Sequence, residues 1–471
     1  MVFSSLTFLF AFLPITLILY YLVPKKAKNV VILISGLVFY AWGEPIYVLV
    51  MILSTFIDYT AGRIIDKYDD RPKIRTACLL VSLIMNIGLL ATFKYLGFII
   101  EALNAGFGIA IPNPNLPLPI GISFFTFQSM SYTIDIYRGQ LKPLSNWLDY
   151  LFYLSFFPQL VAGPIVRARD FIPQIHQNPL RVTREMFGTG VFLIISGLFK
   201  KAIISDYISL NFVDRVFDDP LLYSGFENLM GLYGYALQIY CDFSGYSDMA
   251  IGLGAMFGFA FPENFNYPYL SKTVSEFWRR WHMTLSGWFR EYLYIPMGGS
   301  RNGQRRTLFN LFVVFLATGL WHGANWQFVA WGMWYAVLLI LERTVLKKPL
   351  ERLPAPVIRL YTLVCVVCGW VLFRAPGLRA GVLWLEAMWR PAAGFAAYPA
   401  ARYWDGRTLL LLAAGLLLCG PVQACLPRLK AALYDRQRTG PAQTVCLLAL
   451  GFASLVLLVS GTYNPFIYFR F

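Results

Sequence analysis

The feature that most constrains this chain is a succession of apolar stretches, each near the length that crosses a bilayer, separated by loops of alternating charge. A helix spans the hydrocarbon core with roughly 20 apolar residues. Residues 2–23 form the first stretch and end at the basic loop Pro24-Lys25-Lys26-Ala27-Lys28. Residues 30–42 lead to Gly43-Glu44-Pro45, which carries no Lys or Arg. Residues 46–61 lead to a loop with Arg63, Lys67, Arg71, Lys73 and Arg75, and residues 78–100 lead to 105–119, again without a basic residue. Basic loops stay in the cytoplasm, so these four loops alternate in side and put Met1 on the outer face. The first stretch has neither a basic leader nor a small-residue cleavage site, so it is expected to remain as the first span.

Further apolar runs cover 120–136, 147–161, 186–204, 229–261, 308–341, 356–373, 408–418 and 444–459. Only 14% of residues are charged, against about 25% in ordinary soluble chains. The expectation is one all-α, multi-pass integral membrane domain over 1–471, with about ten to thirteen spans and no room for a large soluble domain. The net charge of +15 reads as orientation-setting Lys and Arg rather than as a nucleic-acid surface. Cys365 and Cys368 form a C-x-x-C in an apolar helix with no second pair and no nearby His, which reads as helix packing rather than a zinc site. No His-x-x-His, P-loop, dinucleotide fingerprint or G-x-S-x-G occurs, so no metal or bound cofactor is expected.

Three histidines are present, His176, His282 and His322. His322 sits in Gly319-Leu320-Trp321-His322-Gly323-Ala324-Asn325-Trp326, inside the long apolar run 308–341. A titratable ring at membrane depth is costly and marks a functional site; neutral imidazole serves as a general base near pH 7. The bland alternative is a packing His bonded to a neighbour. Asn325, three residues on, is expected to share the helical face of His322 and to orient the ring or touch substrate. Gly319, His322, Gly323 and Asn325 interrupt the run, which points to an internal cavity.

The segment 262–306 is too polar to span and too aromatic for a disordered loop; it reads as short helices and re-entrant segments at the cytoplasmic face. Within it Arg279, Arg280, Arg301, Arg305 and Arg306 suit the phosphates of an anionic acyl carrier such as a coenzyme A thioester, or equally a positive-inside anchor. His282 reads as either catalytic or packing. A third cluster, from Gln238 through Asp242 to Asp248, puts carboxylates in an apolar run. They need partners, Arg or His among the candidates, in a relay or a structural ion pair.

Trp321-His322-Gly323-Ala324-Asn325-Trp326 and the F-W-R-R-W-H-x-T-L-S-x-W segment at 277–288 resemble the bacterial membrane-bound O-acyltransferases. Further stretches at 1–5, 119–124, 157–165, 240–248 and 463–471 extend the likeness over nearly the whole chain. They bring it near members that acetylate exopolysaccharides such as alginate, and relatives that acetylate peptidoglycan or other cell-envelope polymers share these motifs. The resemblance implies a ring of about eleven transmembrane helices, with short re-entrant and interfacial helices, around a central tunnel. It makes His322 and His282 the candidate catalytic residues, with Trp321, Asn325, Arg279, Arg280, Asp242 and Gln238 as substrate contacts. It further implies acetyl-CoA or an acyl carrier thioester as cytoplasmic donor, a periplasmic or extracellular acetyltransferase partner, and residence in the inner (plasma) membrane. Rival readings are D-alanyl transfer in the teichoic-acid pathway, a transporter or export channel whose polar residues line a path, and a structural subunit indifferent to loss of His322.

Overall fold

The computed structural model describes residues 1–177, 182–389, 405–426, 440–460 and 466. Among them every regular element is a helix. Among the described residues five helices are long and apolar enough to cross a membrane: Tyr47–Lys67, Pro72–Phe107, Arg184–Asp218, Ala355–Arg374 and Gln443–Ser460. The shorter Phe8–Leu22 and Gly406–Leu417 are also apolar. In Gln443–Ser460 only 6% of the apolar window is buried, so nearly the whole helix faces outward, as lipid contact requires. Together these helices make a multi-pass membrane protein.

The chain divides into two compact units, residues Met1–Ile194 with Met249–Pro262, and Ile195–Asp248 with Glu263–Phe471. In the first unit, Tyr47–Lys67, Pro72–Leu90 and Ile122–Tyr137 pack around a polar knot. The carboxylate of Asp58, fully buried, accepts from Ser82 Oγ at 2.6 Å and from Asn86 Nδ2 at 2.9 Å, and Ser82 also bonds Thr133 Oγ1 at 3.1 Å. Each partner comes from a neighbouring helix, so the knot registers three helices against one another. An aromatic cluster of Phe8, Phe12, Phe39 and Phe157 fills the adjoining core, with Phe12 and Phe157 edge to face at 5.2 Å.

In the second unit the polar residues of Gly225–Met256 find partners on the helix before it. That helix widens into π-helical turns over Phe199–Asp206, where Lys201 Nζ lies 2.7 Å from both Asp242 and Asp206, and Lys200 Nζ lies 2.6 Å from Asp248. The carboxylates thus pair with lysines, where Arg or His was the expectation. The reason is close approach: a Cβ on Gly245 would stand 2.8 Å from the carbonyl oxygen of Gly197, so the two backbones are near enough for the straight lysine stem. Lys201 and Asp242 are each 2% exposed, a depth at which neither charge is stable alone.

The segment 262–306 forms short helices, as expected: Val274–Phe277, Met283–Phe289 and the wider turn Arg290–Tyr294. Val274–Phe277 starts with Thr273 accepting from the Glu276 N–H at 3.0 Å while Glu276 accepts from the Lys272 N–H at 2.9 Å, a T-x-x-E cap. The run 308–341 is a helical hairpin of Gly303–His322 and Trp326–Arg343. Their short turn makes them neighbours in space. They touch at Gly319 and Gly332, where a Cβ on Gly332 would stand 2.5 Å from the Phe315 carbonyl oxygen.

Lys201→Ala strips the buried carboxylates of their shared cation and is expected to lower stability by about 3–5 kcal/mol. Lys200→Ala, whose pair is part-exposed, costs less. Thermal unfolding of the detergent-solubilised protein measures both, and equal loss would contradict the buried-pair account.

Candidate active site

His322 is the last residue of Gly303–His322; Gly323 turns the chain into extended backbone and ends the helix. Asn325, at φ −153° and ψ 153°, is the residue before the next helix and makes no capping bond with its side chain. The expectation that His322 and Asn325 share a helical face is therefore corrected: the helix ends between them, because Gly323 leaves helical geometry.

The half-buried His322 ring is held by aromatic edges. Its centroid lies 4.9 Å from Trp331 at 81°, 5.1 Å from Phe373 at 83° and 5.0 Å from Trp321 at 77°. These contacts fix the plane of the imidazole through packing. Gln327 Nε2 donates to the Ala375 carbonyl at 2.7 Å, and Arg374 pairs with Asp214 at 2.6 Å. Phe373, the neighbour of both, is thereby pinned at the end of Ala355–Arg374.

His282 stands at the start of Met283–Phe289 and is 1% exposed. Its backbone is left-handed, φ 42° and ψ 55°, which costs a non-glycine residue about 1–3 kcal/mol and persists where surroundings over-determine it. Asn264 Oδ1 lies 3.1 Å from its Nδ1, 2.9 Å from Thr284 Oγ1 and 3.3 Å from the Thr284 N–H, and Asn264 Nδ2 donates to Ser247 Oγ at 3.1 Å. Phe243 packs edge-on at 4.7 Å and Trp321 at 6.1 Å. His282 Nε2 is buried with no hydrogen-bond partner among the described residues. Burial holds this imidazole down at about 3, so the ring is uncharged at neutral pH.

Trp321, packed against both rings, joins the two histidine motifs into one aromatic site. Other expected contacts lie in other settings. Asp242 follows Cys241 and precedes Phe243 in the chain, but its carboxylate is taken by Lys201. Gln238 Nε2 donates to Ser209 Oγ at 2.9 Å, Ser209 donates to Asp214 at 2.7 Å, and Asp214 holds Arg374. Arg280 pairs with Glu276 at 2.6 Å and Arg279 Nε reaches the Ser275 carbonyl at 3.3 Å; Arg279 is exposed and Arg280 half-buried. The side chain of His176 lies outside the described residues, as does the closing stretch 463–471 apart from Phe466, which stacks on Tyr246 at 4.7 Å. Among the described residues no group of three His, Cys, Asp or Glu side chains could hold a metal ion, and Cys365 and Cys368 are free thiols.

Two contributors were missed in the sequence. Asn264 carried no signal beyond its place in an aromatic segment. Glu342, a lone carboxylate closing an apolar helix, was a readable one: it accepts from the N–H groups of Val274 and Ser275 at 2.7 and 3.0 Å and from Ser275 Oγ at 2.9 Å. It ties the start of the Trp-Arg segment to the hairpin that carries His322.

The two histidines share a tryptophan in a helical membrane protein, and comparisons with known proteins supply the class and the family. Residues 137–348 match the membrane-bound O-acyltransferase family. A probable alginate O-acetylase of Pseudomonas putida is 36% identical over 100% of both chains. One from Pseudomonas aeruginosa is 40% identical over 82% of this chain and 75% of its own. A peptidoglycan O-acetyltransferase of Helicobacter pylori is 35% identical over 82% of this chain and 80% of its own. The chain belongs to the membrane-bound O-acyltransferase family, and it is an acyltransferase.

Two outcomes are expected from this geometry. Gly332→Leu places a side chain where the Phe315 carbonyl sits and destabilises the hairpin by about 1–3 kcal/mol, displacing His322; loss of transfer activity together with a lowered unfolding midpoint checks it. For His282, the folded-state value lies below the ordinary one near 6.5. The unfolded chain binds the extra proton, so stability is whole above about pH 6.5 and falls as pH drops toward 3. His282→Gln flattens this acid slope in thermal unfolding between pH 7 and 4.

Proposed function

We propose that this acyltransferase takes an acetyl group from a cytoplasmic thioester, acetyl-CoA or an acyl carrier, and delivers it to an outer-side partner for O-acetylation of an exopolysaccharide such as alginate. The observation that carries the reading is His322: a half-buried imidazole at a helix end, its plane fixed by Trp321, Trp331 and Phe373. His322 takes the proton of an acceptor hydroxyl as that oxygen attacks the thioester carbonyl carbon. The new C–O bond forms, the C–S bond breaks, and the imidazolium returns its proton to the leaving thiolate. A thioester is already activated, so one base and good positioning suffice. His282 contributes an uncharged acceptor nitrogen on the far side of Trp321.

In this reading Trp321 and Asn325 line the acyl path, and Arg279 and Arg280 meet the donor's phosphates. Asp242 and Gln238 support the site through Lys201 and Ser209. The chain works as a single acyltransferase domain, a ring of about eleven spans around a tunnel, in the inner membrane with Met1 outside. A periplasmic acetyltransferase completes transfer to the polymer. The peptidoglycan relative keeps a second polymer in view, and offering both polymers to the same membranes separates them.

Transfer of labelled acetyl from acetyl-CoA to an outer-side partner or polymer is expected in wild-type membranes and lost in His322→Ala at equal protein level. Full retention in that variant would remove His322 as the base.

A further inference from the structure

The hydrogen bonds around His282 decide which ring nitrogen carries its proton. The Thr284 main-chain N–H can only donate, so the Asn264 atom facing it at 3.3 Å is the amide oxygen, and the NH2 group faces Ser247 Oγ. An amide oxygen can only accept, so His282 Nδ1, 3.1 Å away, must donate to it. A neutral imidazole has one N–H; with Nδ1 carrying it, Nε2 keeps a lone pair. Nε2 is buried and meets no donor among the described residues. A buried acceptor left unmatched is costly, and such a group in a native protein calls for an explanation, a catalytic or binding role among them. The residue also sits in left-handed backbone, a second cost at the same residue.

We infer that Asn264 is a positioning residue that locks His282 in the Nδ1–H form, so that Nε2 offers a lone pair to a hydrogen-bond donor on the substrate. This rests on the chain acting as an acyltransferase whose site includes both histidines. Thr284, through its N–H and hydroxyl, and Ser247, through its hydroxyl, hold the Asn264 amide so that it cannot flip. The matching donor is a hydroxyl of the acetyl acceptor or an amide N–H on the arm of the thioester.

With three histidines in the chain, 15N-histidine labelling of the purified protein reads each tautomer directly, and His282→Gln assigns the resonance. Wild type is expected to show His282 protonated at Nδ1 and bare at Nε2. Asn264→Asp, whose carboxylate accepts the same three donors and to which Ser247 can itself donate, keeps that pattern and most activity. Asn264→Ala releases the ring to the other tautomer and lowers transfer by about 10- to 100-fold. A raised KM for acetyl-CoA in Asn264→Ala identifies the thioester arm as the donor; a raised KM for the acceptor, or a lowered kcat, identifies the hydroxyl. An Nε2–H form in wild type overturns the inference, even where Asn264→Ala does not fold. Equal losses in the Asp and Ala variants with the wild-type tautomer overturn it too. His322→Ala is assayed in parallel: full transfer in that variant removes the proposed mechanism, while the tautomer result stands by itself.

Discussion

A polar side chain buried away from water must find its partner inside the protein. The structure answers this demand in three ways. Asp58 is met by two neutral donors, Ser82 and Asn86, from one neighbouring helix. Asp242 and Asp248 are met by adjacent lysines on a helix close enough to bring them within 2.7 Å. His282 is met on one nitrogen and has no partner on the other among the described residues. The first two arrangements give each carboxylate its donors and serve the fold; the third leaves His282 Nε2 without a donor among the described residues, as a binding site requires.

Fold and site are linked through the ends of helices. The hairpin of Gly303–His322 and Trp326–Arg343 brings two glycines together and delivers His322 at its turn. Glu342 at the other end of that hairpin captures Val274 and Ser275, fixing the start of the segment that leads to His282. Asp214 and Gln327 hold the end of Ala355–Arg374, so that Phe373 stands against the His322 ring. Each histidine is positioned by packing and by anchors on the elements that carry it or pack against it, so substitutions remote from the chemistry are able to move it.

The sequence made much of this legible. Long apolar runs predicted the helices; the polar break at 319–325 pointed to an internal cavity, because glycine and a titratable residue have few reasons to interrupt a lipid-facing helix, and the structure puts a hairpin turn there. The aromatic segment 262–306 read as short helices because it is too polar to span and too aromatic for a disordered loop. Partner identity was less legible: which basic residue meets Asp242 depends on how closely two helices approach, a tertiary property set by Gly245. The supposed common face of His322 and Asn325 rested on unbroken helical periodicity, which extended backbone at Gly323 removes. Asn264 was invisible because an asparagine's value as a tautomer lock arises only when Thr284, Ser247 and His282 converge on it.

The central claim is that the acyl donor reaches His322 in the same aromatic site that holds His282. A structure of the protein with a thioether analogue of acetyl-CoA, which cannot transfer its acyl group, tests this most directly. The account predicts the acyl end beside Trp321, with its carbonyl carbon near His322 and room for an acceptor hydroxyl within about 3 Å of the ring. An acyl end bound away from both imidazoles would contradict it.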